Sequence, residues 1–154
     1  MTIKKVASWS DTKFITGSSF LFSLPILANE PNKDLLIPSI ILFSTSLVSA
    51  NYWRNALYDW RRTLDIYFSR LSFSYFFVHG LCYIPWPYSF ITSMNTFTIG
   101  YCYYKSCETY KKRNINRNWL WYHVGFHTSI TFNVYFILKY FPRSLPKKLL
   151  EKGT

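Results

Sequence analysis

Long apolar runs separated by short polar segments are the feature that most restricts the fold of this sequence. One of them, LLIPSIILFSTSLVSANYW from Leu35 to Trp53, is close to the length of about 20 mostly apolar residues that a helix needs to cross a bilayer. Aromatic residues make up 21% of the chain, and a bilayer accommodates such side chains in its core and at its headgroups. We therefore expect an all-α integral membrane protein.

The apolar runs predict about five transmembrane helices, packed as one bundle in a single domain of 154 residues. The predicted spans are residues 14–29, 35–53, 63–84, 88–104 and 119–140, followed by a basic C-terminal tail, 141–154. The first run is short, and a signal peptide cleaved after Ala28 is the alternative to a retained helix. We favour the retained helix because further spans follow it.

The fourth predicted span contains many hydroxyl and amide side chains. These polar residues are Thr92, Ser93, Asn95, Thr96 and Thr98. Because lipid offers them no hydrogen-bond partners, we expect much of this span to face other helices.

Basic residues are concentrated between the apolar runs and give the chain a formal net charge of +11. This clustering is typical of cytoplasmic loops that face anionic membrane lipids, and it argues against nucleic acid as a partner. A cytoplasmic N-terminus places three clusters inside: Lys4, Lys5, Lys13; Arg54, Arg61, Arg62; and Lys105, Lys111, Lys112, Arg113, Arg117. The C-terminal tail conflicts with this topology, because five spans put its lysines outside. Either the basic tail lies on the outer side because the earlier spans fix the orientation, or the number of spans differs from five by one.

The three cysteines, Cys82, Cys102 and Cys107, show no CxxC spacing. This pattern indicates neither a zinc ribbon nor a disulfide framework. We interpret these residues as small apolar side chains of the bundle.

The predicted topology brings four polar residues to one side of the membrane. Arg54 ends the second span, Asp65 lies in the first turn of the third, and His123 and His127 lie in the first two turns of the fifth. A helix rises about 1.5 Å per residue, so all four fall within about 15 Å of the same membrane face. His79 lies about 21 Å deeper than Asp65 by the same rise, near the opposite face.

The spacing of His123 and His127 suits a shared metal ion. Residues four apart lie on the same face of a helix, so both imidazoles can reach one ion. Zinc in catalytic sites takes three protein ligands and a water, and a nearby aspartate such as Asp65 can orient that water. Hydrogen bonding within the bundle is the alternative role for the histidine pair, because HxxxH is a short motif.

The order of these motifs resembles the ceramidase-like membrane hydrolases. NYWR ends one span, TLD follows eleven residues later, and HxxxH lies in the last span. The resemblance covers about residues 35 to 75 and 118 to 140. It implies a scaffold that cleaves lipid amide bonds with zinc, in which His123 and His127 bind the metal and Asp65 assists.

Three departures from the family pattern affect this interpretation. Arg54 stands where the resemblance implies a first zinc histidine, and Ala50 stands where it implies a serine, with Ser49 one position away. The chain also has five predicted spans, whereas the family has seven. A guanidinium does not lose its proton to become a ligand, but it can form a salt bridge with Asp65.

Three hypotheses follow for the function. The first is a divergent zinc-dependent hydrolase of lipid amide bonds. The second is a non-catalytic, lipid-binding protein in which an Arg54–Asp65 pair replaces the metal site. The third is an accessory subunit of a larger membrane complex. Haem ligation between His79 and the histidine pair is disfavoured, because their depths differ.

Overall fold

The computed structural model describes residues 6–30, 32–112 and 118–141. The described residues are largely helical and form no β-strand, which confirms the all-α prediction. The α-helices are α1 (Trp9–Ser19), α2 (Leu24–Leu27), α3 (Leu36–Arg54), α4 (Trp60–Tyr83), α5 (Tyr88–Lys111) and α6 (Asn118–Lys139). A 3-10 turn at Phe20–Ser23 joins α1 to α2, so these two form one broken segment. Lys4, Lys5, Arg113, Arg117 and residues 142–154 of the basic tail lie outside the described residues.

The first helical segment begins earlier than the apolar pattern predicts, at Trp9 instead of residue 14. The carbonyl of Ser8 accepts hydrogen bonds from the backbone N–H groups of Asp11 and Thr12. The Ser8 hydroxyl donates to the Asp11 carboxylate at 2.7 Å. These local bonds start the helix in a polar turn, which an apolar pattern does not detect.

The ends of α4 and α5 are also set by polar side chains. Asp59 caps α4 by accepting from the backbone N–H of Arg61 at 3.0 Å and from its guanidinium at 2.6 Å. These hydrogen bonds hold the pKa of the Asp59 carboxyl below its ordinary value. The helix α5 continues past the apolar residues to Lys111, and an ion pair of 2.7 Å between Lys105 and Glu108 lies on this extension.

The helix α6 is the centre of the arrangement. It contacts α1, α2, α4 and, along most of its length, α5. The helix α3 packs against α1 on one side and α4 on the other. The helices α4 and α5 follow each other in sequence, but both reach α6 more closely than they reach one another.

The interior has an apolar cluster at each end and polar side chains between them. At one end Tyr52 and Trp53 of α3 pack with Trp119 of α6. At the other end Leu42 of α3 packs with Leu138 of α6. Between the two clusters, α1, α3 and α6 bring together buried serine and histidine side chains: Ser18, Ser19, Ser46, Ser49 and His127. We call these five residues and His123 the polar layer.

The α5–α6 interface explains part of the polar composition of α5. The Asn95 amide donates to the Ser129 carbonyl at 2.7 Å and to the Asn133 amide oxygen at 2.8 Å. The Asn133 amide donates back to the Thr92 carbonyl at 3.1 Å. Thr92, Asn95 and Thr96 therefore face α6 as predicted, whereas Ser93 and Thr98 are exposed.

One helical stretch, Lys33–Arg54, is both long enough and apolar enough to cross a membrane among the described residues. Tyrosine, hydroxyl, amide and charged side chains lower the hydropathy of the other long helices. Composition alone therefore identifies one candidate span in the described part of the chain.

Candidate functional site

His123 and His127 lie side by side on α6, as their spacing predicts. Their ring centroids are 4.9 Å apart, and the rings meet edge to face. His127 is only 3% exposed, and His123 is half-buried. Two imidazoles at this separation are near enough to direct one nitrogen each toward a common point.

A serine holds the Nδ1 atom of each histidine. Ser18 of α1 lies 2.9 Å from Nδ1 of His127, and Ser106 of α5 lies 3.2 Å from Nδ1 of His123. The Ser18 hydroxyl donates its proton to the Ile15 carbonyl at 3.0 Å, and the Ser106 hydroxyl to the Trp119 carbonyl at 3.4 Å. Each serine oxygen is then an acceptor for the Nδ1–H group.

In this donor arrangement, the proton of each imidazole lies on Nδ1. With the proton on Nδ1, the Nε2 atom of each histidine carries a lone pair. Neither Nε2 atom has a hydrogen-bond partner among the residues that the structure describes. In this form, Nε2 is the atom of each histidine that can ligate a metal ion.

Aromatic rings enclose the histidine pair. The Trp53 ring of α3 lies 4.8 Å from His123 in an edge-on arrangement, and the Phe22 ring lies 4.7 Å from His127. Trp53 is 8% exposed. The side chain that α3 places beside the pair is therefore apolar and has no ligand atom.

Asp65 lies on α4 and interacts with Ser49 of α3. The Ser49 hydroxyl accepts a hydrogen bond from the Ser19 hydroxyl at 3.1 Å and lies near the Asp65 carboxylate. The Oδ1 atom of Asp65 is buried and has no hydrogen-bond partner among the residues that the structure describes. Ser49, which is one position away from the register of the resemblance, thus occupies the place beside Asp65.

Arg54 does not join this site. Its side chain is exposed, and its Nη2 atom donates to the Asn51 amide oxygen at 3.3 Å. The ion pairs within the described residues join Arg61 to Asp59 and Lys105 to Glu108. The Arg54–Asp65 salt bridge is therefore not formed. One step along a helix turns the side chain by about 100°, so Trp53 points inward and Arg54 outward.

His79 lies apart from the other histidines. Its Nδ1 atom is 2.8 Å from the Tyr75 carbonyl, and its ring stacks on Tyr75 and Phe141. These neighbours belong to the other end of α4 and α6, far from the polar layer.

The histidine pair supplies two of the ligands that a zinc ion needs. Two nitrogen ligands are available, but the residues in the described ranges contain no group of three His, Cys, Asp or Glu side chains that could hold one metal ion. Asp65 is therefore not brought to the histidines as a third ligand. A catalytic zinc takes three protein ligands, so His123 and His127 fit the metal only in part.

The sequence did not indicate three residues of this site: Ser18, Trp53 and Ser106. Ser18 belongs to the polar GSS triplet that interrupts the first apolar run. This interruption is the sequence feature that could have indicated a polar contact at Ser18. Trp53 ends the second apolar run, and Ser106 follows the fourth predicted span. Only contacts between helices reveal what these two residues touch.

Comparisons of the chain with known protein families, with characterised proteins and with solved structures returned no match.

Proposed function

We propose that this chain is a multi-span membrane protein with a ceramidase-like helix arrangement that binds lipid and has lost zinc-dependent hydrolysis. Its five helical segments each cross the bilayer, and its N-terminus lies in the cytoplasm. Membrane lipids are its partners. The polar layer holds the helices in register through serine and histidine hydrogen bonds.

Exposed apolar side chains on every long helix support the membrane location. Those with large apolar surface are Leu36, Ile37, Ile40 and Phe43 on α3; Leu71, Phe77, Val78 and Leu81 on α4; Phe90, Ile91 and Phe97 on α5; and Trp121 and Phe132 on α6. Monomeric soluble domains rarely expose contiguous apolar surface on this scale. Lipid contact accounts for it on all sides of the bundle.

The charge distribution supports the orientation. Arg54 at the end of α3, Arg61 and Arg62 at the start of α4, and Lys111 and Lys112 at the end of α5 belong to the same end of the bundle. An excess of arginine and lysine marks the cytoplasmic side of membrane proteins.

The contact between Trp53 and His123 is the observation that supports the proposed loss of zinc-dependent hydrolysis. The edge-on indole of Trp53 occupies the position beside the histidine pair. A metal-binding side chain at this position of α3 would be another ligand. A tryptophan offers only an N–H donor and does not bind zinc. Two histidines then serve as hydrogen-bonding groups inside the bundle.

Metal analysis of the purified protein tests this proposal. After incubation with zinc and removal of excess metal, the wild-type protein is expected to retain no stoichiometric zinc and to match a His123→Ala/His127→Ala variant. One zinc per chain in the wild type, lost in the variant, would overturn the proposal. Extraction of membranes with alkaline carbonate tests the membrane location separately, since a multi-span protein stays in the pellet.

A lipid amide hydrolase is the second candidate. The unpaired Oδ1 atom of Asp65 favours it, because buried polar atoms without partners are rare outside functional sites. Cleavage of a fluorescent lipid amide by the wild type, and not by Asp65→Asn, is the result that supports this candidate. No cleavage above a no-protein blank rejects it.

A further inference from the structure

A cleft opens between α4 and α5, with α6 as its floor. Its volume is about 90 Å³. The α4 wall is apolar and includes Phe73, Phe77 and Leu81, with the two phenylalanine rings stacked at 5.7 Å. The α5 wall includes Ser93 and Thr96. The cleft therefore presents an apolar wall on α4 and a partly polar wall on α5.

The apolar wall of α4 continues into a basic surface toward the cytoplasmic end. Arg70 precedes Phe73 by three residues and Phe77 by seven, and Arg62 precedes Arg70 by eight. These spacings place both arginines on the helix face that lines the cleft. Arg70 lies about one turn before Phe73, the first α4 residue of the cleft wall, and Arg62 lies about two turns before Arg70.

The two arginines have no acidic partner within the described part of the chain. Asp59 is bound by Arg61, and Glu108 is bound by Lys105. Arg62 lies over the Tyr58 ring at 5.0 Å, which leaves the guanidinium N–H groups available. Arg70 is exposed and is bound in no ion pair or hydrogen bond to the described residues. Arginine within a membrane-spanning helix is costly unless a partner neutralises it.

We propose that the cleft binds an anionic phospholipid, with an acyl chain between α4 and α5 and the phosphate at Arg70 and Arg62. The inference rests on the proposed function, because it requires α4 and α5 to span the bilayer. Guanidinium groups bind phosphate oxygens in a bidentate manner, and basic pockets between transmembrane helices bind lipid headgroups. The cleft and its basic end together match the two parts of such a lipid.

A second copy of the chain is a poorer occupant of this cleft. In a membrane, a second copy with the same topology brings its own basic end to the same side. The arginines of both copies then repel one another instead of being neutralised. The charge of the cleft therefore selects an anionic partner.

Native mass spectrometry of the detergent-solubilised chain tests the proposal, with phosphatidylglycerol and phosphatidylcholine of identical acyl chains as probes. Phosphatidylglycerol is expected to bind about ten-fold more tightly, since each basic residue near an anionic lipid contributes several-fold in affinity. The Arg62→Gln/Arg70→Gln variant is expected to lose this preference. The matched control Lys13→Gln/Arg54→Gln removes two charges of the same end outside the cleft and is expected to keep it.

Two further arms separate a lipid site from a phosphate site. Ser93→Trp fills the cleft and is expected to weaken the binding of both lipids, with an unchanged circular dichroism spectrum. Inorganic phosphate is expected not to displace phosphatidylglycerol. Displacement by phosphate, equal binding of both lipids by the wild type, an unchanged preference in Arg62→Gln/Arg70→Gln, or formation of dimers in place of lipid binding would each overturn the proposal.

The proposed function and the phospholipid site can be rejected by different results. Release of the chain by alkaline carbonate rejects the multi-span proposal itself. A chain that stays in the membrane pellet but shows no lipid preference rejects only the phospholipid site.

Discussion

A shift of one residue at the end of α3 changes the chemistry of the polar layer. The sequence aligns Arg54 with an expected metal ligand, but Trp53 is the residue that packs against His123. Ser49 lies four residues before Trp53 and faces Asp65. The inward-facing positions at the end of α3 are therefore Ser49 and Trp53, whereas Arg54 faces outward.

Replacing Trp53 with histidine is expected to create zinc binding. The new imidazole adds a third nitrogen ligand beside His123 and His127, which is the ligand number of many catalytic zinc sites. Metal analysis is expected to give about one zinc per chain for Trp53→His, since a three-histidine site holds one ion. Arg54→His is the matched control and is expected to bind none, because residue 54 faces outward. Zinc binding by Arg54→His and not by Trp53→His would show that residue 54, instead of residue 53, faces the histidine pair.

Removing the charge of Asp65 is expected to stabilise the fold. One carboxylate oxygen is buried without a donor, and a buried charge without a partner costs more free energy than a neutral amide of the same shape. Asp65→Asn is expected to raise the free energy of unfolding in detergent by about 1 kcal/mol. Glu30→Gln, which changes an exposed carboxylate, serves as the control and is expected to have no effect. A clear loss of stability in Asp65→Asn would reveal a cationic partner of Asp65.

At the scale of the helices, the α5–α6 interface depends on a close approach at Gly125. A Cβ atom placed on Gly125 meets the Cys102 sulfur at 3.3 Å. The amide network of Asn95 and Asn133 lies further along the same interface. Small residues and interhelical hydrogen bonds are the means by which helices associate in membranes.

Enlarging Gly125 is expected to separate α5 from α6. Gly125→Leu is expected to lower the free energy of unfolding by about 1–3 kcal/mol, the usual cost of overpacking. Gly100→Leu is the control, because a Cβ atom at Gly100 meets nothing within 4 Å. Both changes improve helix propensity equally, so thermal unfolding followed by circular dichroism isolates the clash. Equal stabilities of the two variants would contradict the interface.

For the whole molecule, the proposed topology places the two ends of α5 on opposite sides of the membrane. Trp86 is 77% exposed in the turn before α5, and Cys107 is exposed near the end of that helix. The turn belongs to the outer side in the proposed orientation, and Cys107 to the cytoplasmic side.

Thiol labelling of intact cells is expected to distinguish these two positions. In a background with the native cysteines replaced by serine, Trp86→Cys is expected to react with a membrane-impermeant maleimide added outside. A chain retaining only Cys107 is expected to react after permeabilisation only. Labelling of both from the same side would show that α5 does not cross the membrane.

The lengths and positions of the apolar runs in the sequence determined the number and approximate position of the helical segments. The helix ends at Trp9 and Lys111 lie beyond the apolar runs, because local hydrogen bonds and an ion pair extend each helix into polar sequence. The HxxxH spacing likewise determined that His123 and His127 share a face, since that follows from helix geometry alone.

Only the tertiary structure decided what surrounds the histidine pair. Which residues of α1, α3 and α5 meet α6 depends on how each helix is rotated about its axis, and a rotation of one residue exchanges Trp53 for Arg54. The serines that contact the Nδ1 atoms come from α1 and α5. Ser18 and His127, for example, are more than 100 residues apart in the sequence. The local sequence does not determine these rotations, because the contacts between helices set them.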